Sequence, residues 1–184
     1  YGGLTQVVAD LDGDGDLDIA ANLTQDVLFG TELSCAVWAN DGQGGFQKVY
    51  NLFNHNLWEV VDMDGDGLKD LLLATPSTFG VARALAPGFW SPTVQIAGPA
   101  NTPWTRIDVG ELDGDAGKEV MLVEWNGTDD YELVAKDYTA AGFAQMAIPS
   151  MPGMASPNVS SPRYCFLEDL NGDGFADVLA VSPS

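Results

Sequence analysis

The stretch DLDGDGDLD at residues 10–18 places five carboxylates and two glycines within nine positions. Related stretches follow, with DMDGDGLKD at 62–70, ELDGDAGKE at 111–119 and DLNGDGFAD at 169–177. We call them acidic motifs 1 to 4. Their starts lie about 50 residues apart, which is the length of a small β module in a repeat protein. Chance does not place four such motifs in phase, so the chain is predicted to consist of repeated units at approximately 1–52, 53–101, 102–160 and 161–184.

Short apolar segments flank every motif and are typical of β-strands. The pairs are LTQVVAD and DIAANL, LWEVVD and DLLLAT, RIDVGE and EVMLVEW, and YCFLED and DVLAVS. A Gly-Phe pair follows each of the first three motifs, at 45–46, 88–89 and 142–143, and predicts a turn between two further strands. The chain therefore contains three full repeats and the first half of a fourth.

The strand after motif 2 is continuously apolar, with Leu71, Leu72 and Leu73 in a row, so both of its faces must be covered. Residues 79–86 lie between Pro76 and Pro87 without a helical period, and a third strand is predicted there rather than a helix. Radially packed blades of short antiparallel strands satisfy these requirements. We predict an all-β chain that forms a single, partial β-propeller domain over residues 1–184.

The acidic motifs have the composition of a binding loop for a hard cation. Glycines at positions 4 and 6 allow alternate side chains to converge, and ligands that are all oxygen favour Ca²⁺ over zinc, copper or magnesium. The predicted side-chain ligands are Asp10, Asp12, Asp14, Asp18, Asp62, Asp64, Asp66, Asp70, Glu111, Asp113, Asp115, Glu119, Asp169, Asn171, Asp173 and Asp177. The backbone carbonyls of Asp16, Leu68 and Phe175 are predicted to complete three of the shells.

Motif 3 departs from the pattern because it has Ala116 at position 6 and a glutamate at each end, so three or four calcium ions are predicted. An EF-hand is excluded, since its loop closes with Glu at position 12 between helices. Solvated acidic turns without any ion remain the alternative, because Asp and Gly are common turn residues.

The motifs, together with NDGQGGF at residues 40–46, resemble the FG-GAP/VCBS repeats of integrin α subunits and secreted bacterial proteins. This resemblance covers essentially the whole chain. It implies a calcium-binding β-propeller, usually of seven blades, that acts outside the cell in adhesion, carbohydrate binding or surface assembly. With so few repeats, we expect a fragment, a propeller completed by another chain, or an unusually small closure.

The formal net charge of −20, from 27 acidic and 7 basic residues, argues against binding to nucleic acid or to an anionic membrane surface. Membrane insertion is not expected either, because no run of 18 apolar residues occurs. Residues 139–162 carry no charge and are interpreted as an inter-blade connection or as a docking surface for a protein partner or sister subunit.

Evidence for catalysis is weak. The single histidine, His55, lies in a polar turn, and no nucleophile motif occurs. We therefore predict a non-enzymatic, extracellular adhesion or assembly module. The alternative is a glycan-binding lectin, or the non-catalytic propeller part of a polysaccharide-active enzyme, in which Trp104 or Trp125 could stack on sugar rings.

Cys35 and Cys165 are predicted to be buried thiols, with a disulfide and an oxidising compartment as the alternative. Glycosylation sequons occur at Asn22, Asn126 and Asn158, and Asn22 is the least favourable because it closes a predicted strand.

Overall fold

The computed structural model describes residues 5–27, 30–75, 78–91, 94–97, 107–125, 131–139, 142–146 and 164–181. These ranges contain β-strands and no helix, and hence no helix long and apolar enough to cross a bilayer. The strands are β1 (Gln6–Ala9), β2 (Asp18–Val27), β3 (Gly30–Asn40), β4 (Phe46–Phe53), β5 (Asn56–Val61), β6 (Asp70–Ala74), β7 (Thr78–Ala82), β8 (Ala84–Ala86), β9 (Phe89–Trp90), β10 (Val94–Ala97), β11 (Ile107–Gly110), β12 (Glu119–Trp125), β13 (Tyr131–Thr139), β14 (Gly142–Met146), β15 (Tyr164–Glu168) and β16 (Asp177–Val181).

The strands form small sheets that correspond to the sequence repeats. The first and third repeats are four-stranded meanders, β1-β2-β3-β4 and β11-β12-β13-β14. The second repeat has the order β10-β7-β6-β5 with a separate β8-β9 hairpin, and the fourth contains the pair β15-β16. None of these sheets closes on itself within the described residues. The all-β prediction is confirmed.

Each acidic motif connects the two strands of an antiparallel hairpin, as the flanking apolar segments predicted. Its ninth residue begins the second strand and pairs with the last residue of the first. These pairs are Ala9 with Asp18, Val61 with Asp70, Gly110 with Glu119, and Glu168 with Asp177. The four loops are therefore held in equivalent positions by equivalent strand registers.

The second repeat differs from the predicted strand pattern. The segment 79–86 forms strands, not a helix, but it divides into β7 and β8 at Arg83. Arg83 donates its backbone N–H to Ser91 Oγ at 3.0 Å, and Ser91 donates its own N–H to the Arg83 carbonyl at 2.6 Å. These bonds close the base of an extra β8-β9 hairpin, so the turn at Gly88 lies in the hairpin and β10 is the strand paired with β7.

Two compact units can be distinguished along the chain. The first comprises residues 1–62 and 66–96, and the second comprises residues 63–65 and 97–184. In the first unit Leu71, Leu72 and Leu73 are each fully buried, which confirms that both faces of β6 are covered. Members of the core of the second unit are Met121, Leu133, Ala135 and Leu167.

The first unit contains a polar clamp between β2 and β5. Asn22 is 7% exposed; its Nδ2 donates to the Leu57 carbonyl at 3.0 Å, and its Oδ1 accepts the Leu57 N–H. Because Nδ2 is the atom that would carry a glycan, this arrangement is incompatible with glycosylation at Asn22. Asn126 and Asn158 lie outside the described residues.

Replacing Asn22 by leucine is expected to destabilise the protein by roughly 2 to 4 kcal/mol, because it leaves the N–H and carbonyl of buried Leu57 without partners. Urea unfolding measures this difference. Thr24→Ala, at an exposed position on the same strand, is the control and should change stability by less than about 0.5 kcal/mol. An equally small effect of Asn22→Leu would contradict the clamp.

Cys35 is a free thiol and is fully buried on β3. Burial raises its pKa to about 12, so it is protonated and unreactive at neutral pH. This agrees with the prediction of a buried thiol at this position. The side chain of Cys165 lies outside the described residues.

Candidate cation sites in the acidic loops

The first carboxylate of each motif organises the loop backbone. Asp10 accepts the N–H of Gly13 at 2.7 Å through Oδ1 and that of Gly15 at 3.1 Å through Oδ2. Both glycines have positive φ, 79° and 94°, a conformation that disfavours other residues. In motif 4, Asp169 makes the same bonds to Gly172 and Gly174, which lower its pKa. These glycines adopt the left-handed backbone conformation that a tight turn of the loop requires.

The carboxylates at position 5 stabilise the following turn by accepting the N–H two residues later. The carboxylate Oδ1 atoms accept backbone N–H groups as follows: Asp14 from Asp16 at 2.8 Å, Asp66 from Leu68 at 2.9 Å, Asp115 from Gly117 at 2.7 Å, and Asp173 from Phe175 at 2.9 Å. Position 3 makes a similar bond in motifs 1, 3 and 4, from Asp12, Asp113 and Asn171. All four loops thus share one local geometry.

The ninth residue anchors the loop to the sheet, a role that the sequence analysis did not predict. Asp18 is fully buried and accepts the N–H groups of Leu11 at 2.8 Å, Asp12 at 3.2 Å and Asn40 at 2.9 Å. Asp70 is likewise fully buried and accepts the N–H of Ala84 at 2.7 Å. The ninth carboxylate therefore links the loop to the chain that follows the second strand.

Glu119 and Asp177 make the corresponding bond within their own loops. Glu119 is fully buried and accepts the N–H of Leu112, while Asp177 accepts that of Leu170 at 3.0 Å. The ninth residue, a predicted metal ligand, is thus also a structural acceptor in all four motifs.

The structure brings many of the predicted ligands together. Among the described residues, four groups each offer one carboxylate oxygen per residue within 4.8 Å of one another: Asp10, Asp12 and Asp18; Asp62, Asp64 and Asp66; Glu111, Asp113 and Glu119; and Asp115, Glu119 and Asp137. Asp14, Asp70, Asp169, Asp173 and Asp177 are in none of these groups. The convergence is strongest in motifs 1, 2 and 3.

Buried oxygen atoms without partners test whether these groups suit a cation. Asp62 Oδ1, Glu119 Oε1 and Asp137 Oδ1 are buried and have no hydrogen-bond partner. A buried carboxylate oxygen without a partner is costly, and a divalent cation would remove that cost. The residues present therefore fit a hard cation.

Burial, together with the crowding of negative charges, raises the pKa of several of these carboxylates. Burial raises the pKa of Glu119 to about 7, and the negative charges of Asp113, Glu111 and Asp115 act in the same direction. Burial and the neighbouring carboxylates also raise the pKa values of Asp12 and Asp137. A bound cation would oppose both causes by stabilising the ionised forms.

Asp137 was missed by the sequence analysis because it lies 18 residues beyond the end of motif 3. It reaches that motif through β13, where it pairs with Glu119 in the antiparallel register. The residue opposite Glu119 can be identified only if the position of the turn between β12 and β13 is known. The sequence motif does not give that position.

Residues 62–122 match the family model of the FG-GAP-like repeat. These residues form an FG-GAP-like repeat. The match begins at motif 2, directly after β5, and extends through β6 to β10 and motif 3 into β12. Over these residues it bears out the resemblance found in the sequence. No curated protein and no solved structure matched the chain.

Other predicted functional features of the chain are only partly described. His55 Nδ1 lies 2.8 Å from the Phe53 carbonyl, consistent with a turn histidine. Trp104 and the side chain of Trp125 lie outside the described residues, as does most of the uncharged segment 139–162, of which Thr139 and β14 are described.

Proposed function

We propose that the chain is a calcium-binding module of a β-propeller, in which Ca²⁺ is structural and holds the strand pairs of each blade together. The observation that carries this proposal is the set of buried carboxylate oxygens without partners, on Asp62, Glu119 and Asp137. They lie within groups of converging carboxylates, and desolvated charges of this kind favour a bound cation.

The chemistry of the ligands favours calcium. Every candidate ligand is an oxygen atom, and His and Cys are absent from the four groups. Ca²⁺ accepts six to eight oxygens in flexible geometry, whereas Mg²⁺ needs a smaller octahedral site and retains water. In motifs 1 to 3, the side chain at the first position (residue 10, 62 or 111) would bind the ion together with the side chains at the third, fifth and ninth positions of the same loop.

A propeller is supported by the repetition of one strand unit. Both complete meanders, β1 to β4 and β11 to β14, place the acidic loop between the first two strands. Propellers are built from four-stranded antiparallel blades of this order, and the FG-GAP-like repeat at residues 62–122 belongs to the same kind of module.

The proposed setting is extracellular, with a role in adhesion or surface assembly and a protein partner or sister subunit as ligand. Calcium sites of extracellular modules have dissociation constants near 0.1 to 1 mM, which suit calcium concentrations outside cells. Catalysis is not part of the proposal. A glycan ligand is the alternative, but no observation on the described tryptophans favours it.

Calorimetric titration of the calcium-free protein with CaCl₂ tests the proposal. We expect three or four ions to bind with dissociation constants of about 0.1 to 1 mM, and Mg²⁺ to compete weakly. Asp64→Asn, in the second group, should weaken one site only. Glu32→Gln, an exposed carboxylate on β3 outside the loops, serves as the control. Failure to bind calcium in the millimolar range would refute the proposal.

A further inference from the structure

The third acidic motif contains a ligand arrangement that its sequence does not predict. Glu119 belongs to two groups of converging carboxylates, one formed with Glu111 and Asp113, and one formed with Asp115 and Asp137. Asp137 is not a loop residue but lies on β13, opposite Glu119. We propose that Asp137 is a calcium ligand supplied to the third loop by the neighbouring strand, so that this site is shared between loop and sheet.

Two buried oxygens support this assignment independently of the carboxylate cluster itself. Glu119 is fully buried, and its Oε1 has no hydrogen-bond partner, although its Oε2 accepts the Leu112 N–H. Asp137 Oδ1 is also buried and without a partner. The two side chains belong to one group that offers one carboxylate oxygen per residue within 4.8 Å of one another. A cation held by this group is the kind of partner that buried, unsatisfied carboxylate oxygens on these two residues lack.

Gly117 explains why the strand can approach this loop. A Cβ atom at position 117 would lie 2.6 Å from the Tyr138 carbonyl oxygen and 3.5 Å from Asp137 Oδ1. Motifs 1, 2 and 4 have Asp16, Leu68 and Phe175 at this seventh position. In motif 3 the absence of a side chain at this position leaves room for the end of β13 beside the loop.

The equivalent position differs in the other two complete repeats. In the first repeat the pairing of β2 with β3 ends at Ile19–Trp38, and the next residue of β3 is Ala39, which offers no charge. In the second repeat the pairing of β6 with β7 ends at Leu71–Ala82, and the residue that follows β7 is Arg83, whose Nη2 lies 3.8 Å from Asp66 Oδ2. The same place in the blade thus holds a neutral, a basic or an acidic residue.

Asp137 would add one carboxylate to the ligands of the third loop. Calcium affinity rises with the number of carboxylates that reach the ion. Motif 3 has Ala116 in place of glycine at position 6 and begins and ends with glutamates, so a ligand from β13 compensates for a loop that departs from the pattern. The inference rests on the proposed calcium binding and adds to it one named residue from outside the loops.

Asp137→Asn tests the inference with little change of shape. Calorimetric titration should show a loss of about tenfold or more in the calcium affinity of one site, with the other sites unchanged. In EDTA the same variant should melt at a higher temperature than the wild type, because it removes a half-buried charge that faces like charges. This combination of weaker binding and a more stable calcium-free state would not follow from a purely structural role.

Two further variants separate the explanations. Glu32→Gln changes the net charge equally and should affect neither measurement. Gly117→Ala removes no carboxylate but displaces β13, and should weaken the same calcium site. Wild-type affinity in Asp137→Asn or Gly117→Ala would overturn the inference while leaving calcium binding by the loops intact. Absence of calcium binding in the wild type would instead overturn the proposed function, and with it this inference.

Discussion

Transfer from 2 mM calcium to EDTA is expected to lower the melting temperature by roughly 10 to 25 °C. A site with a dissociation constant of about 0.1 mM contributes about 1.8 kcal/mol at this calcium concentration, and three or four sites contribute roughly 5 to 7 kcal/mol. In a chain of this size each kcal/mol corresponds to about 2 to 4 °C. Thermal unfolding followed by circular dichroism measures the shift.

The high negative charge requires a control for this experiment. With a net charge of −20, any salt stabilises the protein by screening repulsion. NaCl at the ionic strength of the calcium buffer should recover only a small part of the shift, because screening does not satisfy the buried oxygens of Asp62 and Glu119. An identical melting temperature in EDTA and in calcium would show that the loops are stable without an ion.

Asp18→Ala is expected to cost roughly 3 to 5 kcal/mol of unfolding free energy, even in EDTA. The Asp18 carboxylate is fully buried and accepts backbone N–H groups from Leu11, Asp12 and Asn40, and its removal leaves these donors unpaired. Urea unfolding in EDTA isolates this structural contribution from any contribution of calcium.

Asp14→Ala is the matched control in the same motif. Asp14 is exposed and its described hydrogen bond is to the N–H of Asp16 at 2.8 Å, so its loss should cost less than about 1 kcal/mol in EDTA. In calcium, however, Asp14→Ala should weaken binding to the first loop. Equal destabilisation by the two substitutions in EDTA would show that the ninth position has no special anchoring role.

Most strand positions could be predicted from the sequence because each acidic motif has a fixed length between two apolar segments. Alternating Asp and Gly residues favour a turn. A continuous apolar run such as Leu71–Leu73 requires burial on both faces of its strand, and all three leucines are buried in the structure. The β8-β9 hairpin could not be predicted, because it is closed by hydrogen bonds between Arg83 and Ser91, which lie eight residues apart and outside the four-stranded sheet.

The candidate sites were predictable to the extent that their ligands are close in sequence. The converging groups of motifs 1 and 2 contain only predicted ligands. The anchoring by the ninth carboxylate was not predicted, since its partners Asn40 and Ala84 are 22 and 14 residues away and are brought near by strand pairing.

The amino-acid sequence alone determined the repeat, the strand pairs and the oxygen-rich loops, because these features depend on residues within a few positions of one another. Only the tertiary structure decided that Asp137 joins the third loop, since this contact depends on the register of β12 with β13 and on the space left by Gly117. It also decided which carboxylate oxygens lose both water and hydrogen-bond partners, because burial arises from the packing of whole sheets.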